Sequence, residues 1–144
     1  MTDKETTTPA YTVSRYTTDW PDCTNIVLML HPMGDQRQTV GIIEAHFHKT
    51  GERQGEAYLW NLYVEPPHRR QGCARLLLRT AEQEARSHHC HTAKLEWSLK
   101  YSPRWVLDFY TRLGYDEREF GKDNAWLAKK LESAMLNAKQ NGKG

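Results

Sequence analysis

Leu62-Tyr-Val-Glu-Pro-Pro-His-Arg-Arg-Gln-Gly-Cys-Ala-Arg-Leu-Leu-Leu78 is the stretch whose reading decides the fold. An apolar run ends in a turn broken by Pro66 and Pro67. The turn carries Arg69, Arg70 and Gly72, and a helix begins at once. A strand that delivers its end to a helix N-terminus makes an anion site. The first-turn N–H groups lack intrahelical acceptors, and the helix dipole favours negative charge there. Gly72 has no Cβ, so a phosphate can approach the backbone closely. The stretch reads as a pyrophosphate cradle, with Arg69 and Arg70 adding side-chain charge.

Downstream, Ala74, Leu77, Leu78, Ala81 and Ala85 recur at helical spacing from Gly72 to Ser87. Arg75, Arg79, Glu82 and Arg86 are expected on the outer face, with Glu82 and Arg86 at i, i+4. Ala93 to Leu99 alternates: Ala93, Leu95, Trp97 and Leu99 on one face, Lys94, Glu96 and Ser98 on the other. Ser102-Pro103 reads as an N-cap followed by proline at the first helical position. Val106, Leu107, Tyr110 and Leu113 line one side of that second helix, and Gly114 suits its C′ position. Strands are expected over Asp116–Phe120 and Ala125–Leu131.

Upstream, Ala57–Val64, Thr39–His48 and Asn25–His31 read as three strands of an antiparallel meander. Tyr11–Tyr16 alternates as an edge strand. The order strands, helix, strand, helix, strands implies an α/β (α+β) sheet with a crossover helix. Residues 1–10, polar and threonine-rich, read as a disordered tail. Residues 11–131 read as one domain, and 132–144 as a short helix or tail.

Composition bounds the function. A chain of 144 residues with 38% hydrophobic and 26% charged residues suits one soluble domain with a single core. No apolar run approaches a membrane span, and the first ten residues lack the apolar core of a signal peptide. A formal charge of +2 gives no argument for nucleic acid. The three cysteines are odd in number, which fits free thiols and a cytoplasmic, reducing compartment. Gly-x-Gly-x-x-Gly is absent, which disfavours a dinucleotide oxidoreductase.

Arg69-Arg-Gln-Gly72-Cys-Ala74 resembles the acyl-CoA pyrophosphate motif of the GCN5-related N-acetyltransferases (GNAT): Gln or Arg, two residues, Gly, one residue, Gly or Ala. Leu62-Tyr-Val64 resembles the end of that family's central strand, and Phe109-Tyr-Thr-Arg-Leu-Gly-Tyr115 its late helix ending. The resemblance is carried by residues 56–120 and extends by pattern over 25–131. It implies a mixed, mostly antiparallel sheet splayed at the central strand, with two main helices. Acetyl-CoA would be the cosubstrate, with its pantetheine arm hydrogen-bonded around Val64 and the Leu62 N–H pointing at the thioester carbonyl. Backbone N–H groups from Arg70 through Gln71, Gly72, Cys73 and Ala74 to Arg75 would hold the pyrophosphate, beside Arg69. Tyr110 matches the tyrosine that sits by the CoA sulfur in many members. The implied activity is transfer of an acetyl group to a primary amine, in a small molecule or a peptide, by direct attack in a ternary complex. A non-catalytic acyl-CoA module of the same fold is the alternative. Neither nucleic acid, membrane nor metal is called for.

Three departures from the family pattern matter. Tyr58 stands where some members carry a glutamate base, so Glu44, Glu56, His46 and Glu96 are open as substitutes. Pro103 stands where an asparagine often contacts CoA. The family usually inserts two helices between its first two strands, and Tyr16 to Asn25 has no room for both. The N-terminal region is therefore shortened. Its acceptor site is either open, completed by another chain as in a homodimer, or completed by the C-terminal tail.

Plainer readings apply elsewhere. His88-His-Cys-His91 lacks the paired spacing of zinc sites and reads as a solvated loop. His46 and His48 share a half-exposed sheet face. Cys73 lies near a helix N-terminus, which by itself would lower its pKa, but reads as a spacer facing the core. Trp60 is the tryptophan placed to wall an acceptor site.

Overall fold

The computed structural model describes residues 10–98, 100 and 102–132, with 117 and 118 described by backbone only. The expected tails therefore lie largely outside the described residues. The strands are β1 (Tyr11–Asp19), β2 (Cys23–Pro32), β3 (Gly41–His48), β4 (Glu56–Val64), β5 (Thr92–Ser98), β6 (Asp116–Phe120) and β7 (Asn124–Lys130). The helices are α1 (Cys73–Ser87) and α2 (Arg104–Arg112). All strands join one sheet in the order β1-β2-β3-β4-β5-β7-β6. Every pairing is antiparallel except β4 with β5, which α1 connects as a crossover.

The expected edge strand Tyr11–Tyr16 runs on to Asp19 and opens the meander. Tyr11 to Asp19 pairs along its length with β2, and the turn between them needs only residues 20–22. The space for two helices is thus absent, and β1 and β2 form a plain hairpin.

Period-two burial separates the faces of the sheet. Ile26, Leu28, Leu30, Ile43, Ala45, Phe47, Ala57 and Leu59 are buried, while their neighbours along each strand are half-buried, except His31, which is buried, and Trp60, which is exposed. α1 lies on the buried face through Leu77, Leu78, Ala81 and Ala85. Gly41 lets it come close: a Cβ there would meet Leu77 Cδ1 at 3.1 Å. α2 lies on the same face, since the Trp97 indole donates to the Pro103 carbonyl at 3.1 Å and Leu107 and Tyr110 join the same core. Among the described residues, neither helix covers the opposite face.

Two expectations about the helices change. The cap of α2 is Pro103 itself, and no side chain caps the helix, so Ser102 stands one residue outside. Glu82 is not on the outer face: it is 4% exposed. Its carboxylate accepts from Tyr115 Oη at 2.7 Å and from Lys129 Nζ at 3.1 Å. Arg86 approaches it at 3.9 Å, completing a buried cluster that ties α1 to β7. Burial, then Glu82, pushes the Tyr115 pKa far upward, which keeps its hydroxyl a donor.

Candidate active site

The site starts where β4 breaks its ladder. Ile42 faces Tyr63 and Glu44 faces Trp60, so β3 has one residue between these pairs where β4 has Asn61 and Leu62. This is a β-bulge, and Asn61 takes φ 60° to make it. Pairing of β4 with β5 runs only from Glu56 to Tyr58. Beyond Tyr58 the two parallel strands part, leaving the backbone from Trp60 to Val64 facing a gap.

The loop after β4 is built to present N–H groups. Glu65 is followed by a 3-10 turn over Pro66–His68, then by Arg70 and Gly72 at φ 62° and φ 82°. Left-handed residues interspersed in a loop direct successive N–H groups to one side, which is the geometry of an anion nest. The first bond of α1 runs from the Leu76 N–H to the Gly72 carbonyl at 2.9 Å. Among the described residues, the N–H groups of residues 70–75 donate to no backbone carbonyl. A Cβ built on Gly72 would meet nothing within 4 Å, so the space above the loop is open. The donor set fits a diphosphate: several free N–H groups, a helix N-terminus and unpaired room at the glycine.

The side chains around this loop do different work. Arg69 Nε donates to the Val64 carbonyl at 2.8 Å, and its guanidinium lies 5.5 Å from the Tyr63 ring centroid. It braces the strand end. Arg70 and Arg75 are exposed, Gln71 donates to the Pro67 carbonyl at 3.2 Å, and Ala74 is half-buried. Cys73 is buried below the loop, and burial raises its pKa, overriding the lowering expected at a helix N-terminus. Leu62 is half-buried and packs on the core, and Val64 is buried.

One contributor was invisible in the linear sequence. Tyr11, at the start of β1, donates to Gln71 Oε1 at 2.9 Å, and His68 Nδ1 lies 2.8 Å from the same hydroxyl. The first strand thus holds the loop from a distance of 60 residues. Only sheet order brings them together.

Tyr110, on α2, is 8% exposed, and burial pushes its pKa up to about 12. Its ring lies 6.3 Å from that of Tyr115. The four acidic or basic substitutes for Tyr58 all fall on the uncovered face. Glu44 accepts from Asn25 Nδ2 at 3.2 Å and from Asn61 Nδ2 at 3.0 Å, beside the bulge. Glu56 pairs with Lys94 at 3.1 Å, Glu96 accepts from Asn124 at 2.9 Å, and His46 meets His48 edge-on. A cleft of about 440 Å³ on that face is lined by His46, Glu56, Tyr58, Glu96, Glu119 and Trp126 among others. Trp60, 42% exposed, lies beside it, stacked parallel to Tyr58. Cys23, Cys73 and Cys90 are free thiols. Among the described residues no three candidate ligands gather into a metal group, and no helix is long and apolar enough to cross a membrane.

Comparison with known proteins agrees with this architecture. The sequence model of the Acetyltransferase (GNAT) family matches residues 3–115. A crystal structure of a putative acyl-CoA N-acyltransferase from Klebsiella pneumoniae superposes with TM-score 0.60 at 25% identity, covering 75% of this chain and 73% of that one. The ribosomal-protein-S18-alanine N-acetyltransferase from Escherichia coli superposes with TM-score 0.63 at 18% identity, covering 86% and 96%. The paia N-acetyltransferase from Thermoplasma acidophilum, solved in complex with coenzyme A, gives TM-score 0.60 at 18% identity, covering 76% and 61%. No curated protein matches the sequence.

Proposed function

Because the chain belongs to the acetyltransferase (GNAT) family and is an acetyl-CoA-dependent acyltransferase, we propose that it acetylates a primary amine by direct attack in a ternary complex. The observation that carries this is the opened edge of β4 leading into the nest at residues 70–75, with Tyr110 buried in the same core as Val64. One domain, residues 11–131, holds all of it.

Residues 70–75 grip the diphosphate of acetyl-CoA, whose thioester supplies the acetyl group. Val64 and its neighbours offer backbone to the pantetheine arm along the opened edge of β4. The Leu62 N–H faces the thioester carbonyl and stabilises the charge that develops on its oxygen, an effect worth a few kcal/mol in comparable sites. The bulge leaves Leu62 with no register partner on β3. In balance, an N–C bond forms and the C–S bond breaks; the nitrogen sheds two protons, one from the ammonium before attack and one from the tetrahedral adduct, and the second ends on the departing thiolate as CoA thiol.

Tyr110 assists the leaving sulfur. With its pKa pushed up to about 12 it is protonated throughout the physiological range. Against a thiol near 8.5, full transfer of the phenolic proton is uphill by about 5 kcal/mol. Tyr110 therefore donates a hydrogen bond to the developing thiolate and keeps its proton. Glu44 is the carboxylate nearest the bulge in register, fixed by Asn25 and Asn61. It takes the proton from the incoming ammonium, directly or through water.

The test is release of free CoA thiol from acetyl-CoA in the presence of a panel of primary amines, with the acetylated product identified by mass. Tight binding of acetyl-CoA with no amine-dependent thiol release would overturn the reading.

A further inference from the structure

The uncovered face carries a pattern that the cofactor site does not use. Register places Glu44 beside Trp60, Glu96 beside Trp126, and Trp126 beside Glu119. Tyr58 is beside Lys94 at the last rung joining β4 to β5, so Trp60 and Glu96 stand one step further on, across the opening. Read across the sheet, one row alternates carboxylate, indole, carboxylate, indole, carboxylate: Glu44, Trp60, Glu96, Trp126, Glu119. Strands lie about 4.8 Å apart, so Glu96 and Glu119 sit about 10 Å apart with an indole between them.

Four carboxylates on this face, Glu44, Glu56, Glu96 and Glu119, stand against three cations, Arg53, Lys94 and Lys130, the last lining a groove with Glu119 and Trp126. Lys94 is held by Glu56 at 3.1 Å. Burial, then His48, lowers the His46 pKa, so that ring stays neutral near pH 7. Arg53 stands on the exposed β3–β4 connection at the rim. Glu96 is oriented by Asn124 at 2.9 Å. Carboxylates and aromatic faces both attract ammonium groups, and the indoles also accept methylene chains. The row crosses the β4–β5 opening, where the amine must arrive. The cleft of about 440 Å³ is the size of a small-molecule site.

Resting on the acetyltransfer reading above, we propose that the acceptor is a linear aliphatic polyamine lying across β4, β5, β7 and β6. Its ammonium groups sit at Glu96 and Glu119, its methylene runs lie over Trp60 and Trp126, and one primary amine enters the opening between β4 and β5. Aliphatic and aromatic monoamines carry one charge and lack the second that the row reads.

The experiment compares a linear triamine, butylamine and an arylethylamine as acceptors, using the full chain, Glu96→Gln, Glu119→Gln and Trp126→Ala. CoA affinity of each variant is measured in parallel by calorimetry. The triamine is expected to be the best acceptor. Its KM should rise about fivefold or more in Glu96→Gln and Glu119→Gln, with butylamine changed less than twofold and CoA affinity unchanged. Calorimetric titration of the triamine into the CoA-bound protein gives a second readout without turnover, and binding lost in Glu96→Gln supports the proposal there too. Monoamines accepted as well as the triamine, or triamine binding indifferent to Glu96→Gln, would overturn the polyamine proposal while leaving acetyltransfer standing. Triamine binding without thiol release from any amine would overturn the acetyltransfer reading instead. No triamine binding would overturn the polyamine proposal.

Discussion

Replacing Gly72 with glutamate tests the cradle most directly. The residue caps α1 at φ 82°, and a Cβ there meets no atom within 4 Å. The new side chain therefore costs only backbone strain, about 1–2 kcal/mol for a left-handed non-glycine residue. For a chain of this size that lowers Tm by roughly 3–6 °C, and the fold persists. Ligand binding suffers far more. A carboxylate about 5 Å from one phosphate charge is repelled by about 0.8 kcal/mol at the dielectric of water and about 3 kcal/mol at an effective constant of 20. The loss per phosphate charge is thus roughly fourfold to 300-fold, before any steric exclusion. Gly72→Gln carries the same strain and shape without the charge, so the difference between the two variants isolates electrostatics. Calorimetric titration with CoA should rank the parent first, then Gly72→Gln, then Gly72→Glu, with similar Tm for the two variants. If both variants bind CoA within about twofold of the parent, the diphosphate is not held at this turn and the reasoning fails.

Tyr110→Phe should lower kcat by ten- to a hundredfold with little change in CoA affinity. Because the phenol pKa is about 12, kcat in the parent should show no alkaline limb from this group below about pH 11. Tyr11→Phe removes the hydroxyl shared by His68 and Gln71 and should weaken CoA binding about three- to tenfold by calorimetry, the worth of about one hydrogen bond. Glu82→Ala leaves Lys129 and Tyr115 unpaired beneath the sheet. It should cost about 3–5 kcal/mol in urea unfolding, with Glu82→Gln losing less. His46 has its pKa lowered in the folded state, so below the usual histidine value the unfolded chain binds the extra proton. That penalty is absent at neutral and higher pH and grows as pH falls through the window beneath about 6.5. His46→Gln should therefore shrink the drop in urea midpoint between pH 7.5 and pH 5.5.

What could be read in the chain was whatever a short window contains. The cradle is contiguous, so Pro66 to Ala74 announced both turn and helix start. The inward faces of α1 and α2 followed from spacing, as did the alternation of β5. Glu82 was misplaced although its position held the clue. It lies four residues after Leu78 and three before Ala85, on the apolar stripe, and the pairing with Arg86 drew attention outward. Its true partners, Tyr115 and Lys129, come from elements that sequence order does not bring near. Tyr11 at the loop and the Glu–Trp row share this origin, because both depend on strand order and register. The splay at the central strand was expected only through family resemblance, and nothing in Trp60-Asn-Leu62 requires the left-handed residue that makes its bulge. Cys73 shows a contest of effects, where burial overrode the helix terminus in setting the thiol.

The buried carboxylate of Glu82 has a consequence for ligand length. On the function proposed above, one helix presents the phosphate end of the site and the other the phenol at the sulfur end. Glu82 clamps the first helix to the segment that immediately follows the second. On that proposal the two would work as the fixed jaws of a caliper, set to the span between diphosphate and thiol, and a thioester on a shorter carrier would fill one jaw or the other, never both.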